Sequence, residues 1–293
     1  MPAHRSGQIT EPSTLDFSAP VEELQIRVVN GTVNVVGTDE PTARVEIAEL
    51  HGPPLSVTHV GGSLVVAYED LPWQGFLKWL DGKSWRREVV VSVSVPAHVR
   101  LTVGVVGASA VVSGIRGRTD VRGVSGGITL VGLRGEVHAE TVTGHVETQS
   151  LQGPLRLHTV SGEFTVIDGS GADIEAGSVS GDMILDLAPA DEAADISLTT
   201  VSGAVAVRLA HSADTRVRAS TTGGRLSSAF GELRSEGPRG AKRLTGTLGA
   251  GSGRLTATSV SGAIALLCRP PAEEPAGFDD EPPADAAFLR KDI

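Results

Sequence analysis

At 293 residues the chain is long enough to bury a sizeable core, and its formal net charge of −10 argues against nucleic acid as a partner, because phosphate binding needs a concentrated basic surface. Aromatic residues are only 3% while the apolar set reaches 40%, so the core must be aliphatic; Val, Thr, Ser and Gly favour strands and turns over helices. The single cysteine, Cys268, excludes an intrachain disulfide framework and a cysteine-based zinc site, and no stretch approaches the roughly 18 apolar residues that span a bilayer.

Residues 1–14 read as a flexible arm with no apolar run that could serve as a signal segment, so a cytoplasmic or membrane-peripheral location is expected. From 15 to 103, period-2 alternation recurs in Leu24 to Val28, Thr32 to Val35, Ala43 to Ile47, Leu64 to Val66 and Val89 to Val95, which predicts half-buried strands. Asn30-Gly31 and Gly61-Gly62 are turn signals between them. This half forms an irregular N-terminal β region.

All three tryptophans fall inside residues 71–88. Trp73, Phe76, Leu77 and Leu80 recur at the spacing of one helical face, with Pro72 suited to a first helical position and Asp81-Gly82 to a stop. The spacing predicts a short amphipathic helix near 72–80. Lys78, Lys83, Arg86 and Arg87 surround it with positive charge, and Trp79 and Trp85 lie off the apolar face. Three readings compete: a cap over exposed core, a patch that docks a protein or an anionic envelope surface, or a small-molecule pocket. The interaction candidates are Trp73, Phe76, Leu77, Trp79, Trp85, Arg86 and Arg87.

Between 104 and 268 the chain repeats itself. Seven triplets end in glycine: Val124-Ser125-Gly126, Val142-Thr143-Gly144, Val160-Ser161-Gly162, Val179-Ser180-Gly181, Val201-Ser202-Gly203, Thr221-Thr222-Gly223 and Val260-Ser261-Gly262. The first glycines step by 18, 18 and 19 residues, the mark of one turn wound repeatedly. Aligned on this period, Val124, Val142, Val160 and Val179 form a column, and so do Thr119, Val137, Leu155 and Ile174, and Val121, Ala139, Leu157 and Ala176. Beyond each glycine stand Ile128/Leu130, Val146/Thr148, Phe164/Val166, Met183/Leu185, Val205/Val207 and Ile264/Leu266. Mostly apolar, these columns are expected to point inward.

Each turn then holds two short strands joined at a glycine corner, where glycine is expected to supply a bend or a positive φ. A second corner recurs at Gly117, Gly135 and Gly153. The lengthening at Ala188–Asp195 and the polar stretch 227–246, read as a loop or imperfect turn, break the rhythm. Residues 269–293, Pro-rich with seven carboxylates, read as a disordered acidic tail.

Candidate chemistry sits in the outward columns. The Ser/Thr of the triplets could be mistaken for nucleophiles, but equivalent hydroxyls without a positioned base read as a hydrogen-bonding ladder. Asp120, His138, Arg156 and Glu175 stack in one column and Arg122, Glu140 and His158 in the next, close enough for opposite charges to pair. Gly127, His145, Glu163 and Asp182 follow the corners and bring two carboxylates together. Register-setting ladders are the expected role; a ligand or metal site, or a carbohydrate-cleaving carboxylate pair, is the alternative.

The recurring V-[ST]-G corners, the Asn30-Gly31-Thr32-Val33-Asn34-Val35 lead-in and the Val95-Pro96-Ala97 step resemble the bacterial putative-adhesin family, a β-strand-repeat domain of unknown function, over residues 15–268. The resemblance implies an all-β fold, a single-stranded, right-handed β-solenoid, and carries no catalytic residues. The function expected is a non-catalytic scaffold with no metal or cofactor that engages a protein partner or an envelope surface, with self-association as a further outcome. The alternative is a polysaccharide-binding or polysaccharide-cleaving β-helix using Glu140, Glu163, Glu175 and Asp182.

Overall fold

Alternation of apolar and polar residues gives strands with one dry and one wet side, and the described residues contain strands and no helix. The computed structural model describes residues 5–68, 87–170, 173–189, 193–237 and 242–269. The helix expected near 72–80 and the tail beyond 269 therefore lie outside the described residues.

The N-terminal region comprises β1 (Arg5–Ile9), β2 (Ser13–Phe17), β3 (Glu23–Val28), β4 (Asn30–Thr38), β5 (Ala43–His51), β6 (Leu55–Val60), β7 (Ser63–Ala67) and β8 (Glu88–Pro96). The repeats give β9 (Arg100–Val105), β10 (Ser109–Ser113), β11 (Thr119–Gly123), β12 (Ile128–Val131), β13 (Val137–Thr141), β14 (Val146–Gln149), β15 (Leu155–Thr159) and β16 (Phe164–Gly169). They continue as β17 (Asp173–Ser178), β18 (Met183–Leu187), β19 (Asp195–Thr200) and β20 (Val205–Ala210). Then come β21 (Thr215–Thr221), β22 (Leu226–Ser228), β23 (Arg234–Glu236), β24 (Lys242–Leu248), β25 (Gly253–Ser259) and β26 (Ile264–Arg269).

From β9 to β20 the chain alternates between two sheets, and each strand lies parallel to its equivalent one coil later. One strand per sheet per coil is the solenoid that the period predicts. β3 and β4 already form such a coil beneath β9 and β10. β7 and β8 lie parallel beside β3 and β4, so the coils at this end are not stacked in chain order. The other end behaves likewise: β25 and β26 insert between β19–β20 and β21–β22. The stretch 227–246 supplies β23 and most of β24, which pair antiparallel and end the longer sheet. Residues 1–14, expected as a flexible arm, contain β1, paired antiparallel with β6. Main-chain hydrogen bonds to an open edge order that segment, although its side chains carry no clear strand pattern.

The core is the narrow slot between the sheets. Val137, Leu155, Ile174 and Ile196 face it from one sheet, and Ile128, Val146, Phe164 and Met183 from the other, all buried. Of the triplet valines Val124 is partly buried and packs against the core and Val142 is half-buried, but the later ones do not join it. Val160, Val179, Val201 and Val260 are about half exposed, which corrects the inward placement of that column. Alternation explains it: in β15 Leu155, Leu157 and Thr159 point inward, so Val160, the next residue, must point out.

The corner glycines are required by close approach. None of the seven takes a positive φ; instead, a Cβ on Gly126, Gly162, Gly181, Gly203 or Gly262 would lie 1.8–2.0 Å from the carbonyl oxygen of the coil before. Gly224, not Gly223, occupies this place in the coil of β21 and β22, where a Cβ would meet the Gly262 carbonyl oxygen. Three residues before each corner glycine except Gly126, which Gly123 precedes, stands a buried hydroxyl. The N–H groups of Gly144, Gly162, Gly181, Gly203, Gly224 and Gly262 donate to Thr141, Thr159, Ser178, Thr200, Thr221 and Ser259 at 2.8–3.2 Å. The working corner is therefore [ST]-x-x-G.

Candidate interaction surfaces

Parallel stacking places identical positions of successive coils side by side, so each outward column becomes a row of neighbouring side chains. Asp120, His138, Arg156 and Glu175 are in direct register, as are Arg122, Glu140 and His158. The Arg122 guanidinium lies 3.2 Å from Glu140 and Arg156 lies 3.6 Å from Glu175. Arg118 and Glu136, which sequence columns did not single out, complete the network: Arg118 bridges Asp120 at 2.9 Å and Glu136 at 3.2 Å, and Glu136 also reaches Arg156. Hydrogen bonding to Asp120, then the charges of Asp120 and Glu136, raise the pKa of Arg118. These groups are substantially exposed and screened by water, so the pairs chiefly fix register.

The triplet hydroxyls form the expected ladder. Ser125, Thr143, Ser161, Ser180, Ser202 and Ser261 each donate to the carbonyl of the preceding corner valine (Val106 for Ser125) at 3.1–3.3 Å. Thr222 is absent from it because Gly224 sets the corner one residue later. In the third column a Cβ on Gly127 would strike the His145 ring at 2.7 Å, and Asp182 accepts the Ala204 N–H at 2.7 Å.

On the second sheet Asp186 ties several coils together. It accepts from Arg208 and from Arg269, and Arg269 also reaches Asp168 at 2.7 Å. Hydrogen bonding from Arg208, with that from Arg269, outweighs partial burial and pulls the Asp186 carboxyl from 3.8 down to about 2. Because the folded value lies below the unfolded one, the stabilisation is complete above pH about 4 and lost as pH falls through about 2. Urea titrations followed by circular dichroism should show the midpoint falling across that window, and Asp186→Asn should lack that part of the fall. An identical fall in the variant would remove Asp186 as its source.

The corner edge differs in kind. Val160, Val179, Val201 and Val260 are 46–53% exposed and sit on successive coils, since the N–H of each following serine bonds the preceding valine carbonyl. They form one aliphatic ridge. β7 ends and β8 begins on this same edge, because β7 runs parallel to β3 and Asn30 stands opposite Glu88. The 71–88 segment thus leaves and rejoins the body on the ridge's edge, five coils from Val160, with the buried corner residues Val29 and Val106 between them. Trp73, Phe76, Leu77, Trp79, Trp85 and Arg86 lie outside the described residues. Arg87 stacks its guanidinium 5.3 Å from the centroid of the buried Tyr68 ring.

Residues 112–267 match the family model Toastrack DUF4097, more than half of the sequence. The chain belongs to the Toastrack DUF4097 family. No curated protein matches it. The Toastrack coil is similar to the crystal structure of a putative lipid binding protein from Parabacteroides distasonis ATCC 8503, with a TM-score of 0.50 and 12% identity over 89% of this chain and 98% of that one. A putative adhesin from Bacteroides fragilis NCTC 9343 gives a TM-score of 0.40 at 11% identity, over 89% and 99% of the two chains. A putative cell adhesion protein from Clostridium sporogenes ATCC 15579 gives 0.28 at 12%, over 92% and 100%.

A carbohydrate-cleaving site needs two carboxylates facing each other across a gap. On this Toastrack coil Glu140 and Glu175 lie on the outer side of one sheet, each beside an arginine, while Glu163 and Asp182 sit at the corners. The four do not converge. Among the described residues no group of three metal-ligating side chains comes together, and no helix is long and apolar enough to cross a membrane. The valine ridge and the buried [ST] column are what sequence reasoning missed; strand parity carried from β13 or β15 into the corner would have found both.

Proposed function

We propose that this protein is a non-catalytic solenoid scaffold that engages a protein partner or an envelope surface through its corner edge, from a cytoplasmic or membrane-peripheral location. The ridge of Val160, Val179, Val201 and Val260 carries the reading, because contiguous exposed apolar surface on an otherwise charged coil marks an interaction site. Each of these valines keeps about half of its side chain in water, area that a partner can cover. The Trp-rich segment, attached to the same edge, is the second contact in this proposal, with Trp73 and Trp79 as its anchors.

The test replaces all four valines with threonine, which keeps the β-branched shape and removes apolar area. Binding to anionic and to neutral vesicles is measured alongside capture of envelope and cytoplasmic proteins. Loss of about 2 kcal/mol is expected, roughly 30-fold in Kd, with circular dichroism unchanged. Trp73→Ala with Trp79→Ala should weaken the same interaction. Unchanged binding in both variants sinks the proposal.

A further inference from the structure

On the outer face of the repeat strands Arg118, Arg122, Arg156 and Arg208 each stand beside a carboxylate. At the far end of the same outer sheet surface the pattern changes. Arg254 on β25 stands opposite Arg216 on β21, Arg218 follows two residues on, and Arg243 on β24 and Arg234 on β23 continue the group. All five are exposed, and among the described residues none has an ion pair or a side-chain hydrogen bond. Two carboxylates border them, Asp195 beside Arg254 and Glu236 beside Arg243. Asp214, at the nearby edge, is occupied by the Ser252 hydroxyl and the N–H groups of Gly251 and Ser252. Arg216, Arg218 and Arg254 line a shallow depression with Thr245, Thr247 and Thr256. Guanidinium forks interleaved with hydroxyls suit planar oxyanions such as carboxylates, as well as phosphates. A cluster of free positive charge on a chain of net charge −10 calls for an anionic occupant.

We propose that this arginine surface is the docking site of the chain's own acidic C-terminal segment, residues 273–285. Between Arg269 and Arg290 that segment carries Glu273, Glu274, Asp279, Asp280, Glu281 and Asp285 and no basic residue, so its charge complements the five arginines. Its point of departure fits. β26 returns across the coil that β25 opens, so Arg269 ends on the edge at which Gly253 and Arg254 begin. The sheets lie about 10 Å apart, and Glu273, four residues beyond Arg269, has about 13 Å of extended chain to round that edge. Asp279 to Glu281 then have ample reach to cross β21, β24 and β23. Tethering presents these carboxylates at an effective concentration in the millimolar range, which an untethered acidic peptide would have to match. The consequence is a basic surface kept from foreign anions by its own chain.

The test uses the full chain and a variant with Glu273→Gln, Glu274→Gln, Asp279→Asn, Asp280→Asn, Glu281→Gln and Asp285→Asn. Arginine modification by phenylglyoxal is followed by peptide mass spectrometry, with exposed Arg225, on the other sheet's side, as internal control. Arg216, Arg218 and Arg254 should be modified roughly fivefold faster in the neutralised variant, and the difference should vanish in 1 M salt, where the Debye length falls to about 3 Å. A fluorescein-labelled hexaglutamate peptide should bind the variant at least tenfold tighter than the wild type. Equal modification rates in the two proteins overturn the proposal. Protection that disappears on dilution, with dimers in sedimentation, assigns the surface to the tail of a second copy and overturns the intramolecular assignment. Binding of single-stranded DNA that is equally tight for both proteins overturns it as well, because the surface would then be open.

Discussion

Gly162→Ala should destabilise the solenoid by about 3–4 kcal/mol, at or above the top of the usual overpacking range. The added Cβ would lie 1.8 Å from the Gly144 carbonyl oxygen and 2.9 Å from the Thr159 hydroxyl. Both neighbours are fixed: the carbonyl is main chain, and the hydroxyl accepts the Gly162 N–H. Relief requires the coil to rise away from the one before, which stretches the ladder bonds on either side of the corner. The Ser161 hydroxyl bond to the Val142 carbonyl would lengthen. Gly231→Ala is the control, because a Cβ there meets nothing within 4 Å, and it should change stability by less than about 0.5 kcal/mol. Urea unfolding of the two variants decides the matter; equal midpoints would show that the corner tolerates a side chain and that the packing argument fails.

The same corner shows how far sequence reasoning reaches. The 18-residue period, the two-strand coil and the register of Asp120, His138, Arg156 and Glu175 follow from counting, because parallel stacking makes equal spacing mean adjacency. The direction of the corner valines was equally available and was misread, since alternation carries straight through Thr141 into Val142 and through Thr159 into Val160. The role of the glycine was not available. Whether a position needs positive φ or merely an absent Cβ depends on where the previous coil's carbonyl lies. The order of the end coils was hidden for a related reason. Main-chain ladders do not read sequence, so the coil of Val260 can stack on that of Val201, with Ser261 bonding Val201 across 60 chain positions, as well as any neighbour could. The arginine surface was hidden with it, because Arg254 and Arg216 meet only through that insertion.

Phe164→Ala should cost about 3–5 kcal/mol and should also split the unfolding transition. Phe164 is fully buried in the slot between the sheets, flanked in register by Val146 in the coil before and Met183 in the coil after. Such a narrow core has few side chains able to move into the space. Met183, unbranched and adaptable, can lean in and recover part of the loss, so Phe164→Leu should cost much less. In a solenoid each coil contacts its neighbours alone, and cooperativity rests on the coil-to-coil interfaces. Weakening one interface in the middle by several kcal/mol should therefore let the two halves unfold separately. The chain carries its own probe for this: Trp73, Trp79 and Trp85 all precede the repeats in sequence, whereas far-UV circular dichroism reports strands throughout. In the wild type the two signals should fall together in urea. In Phe164→Ala the dichroism should lose part of its amplitude at lower urea than the tryptophan fluorescence does. Coincident transitions in the variant would mean that stability is not carried coil by coil, and the stacked-column account of this fold would have to be abandoned.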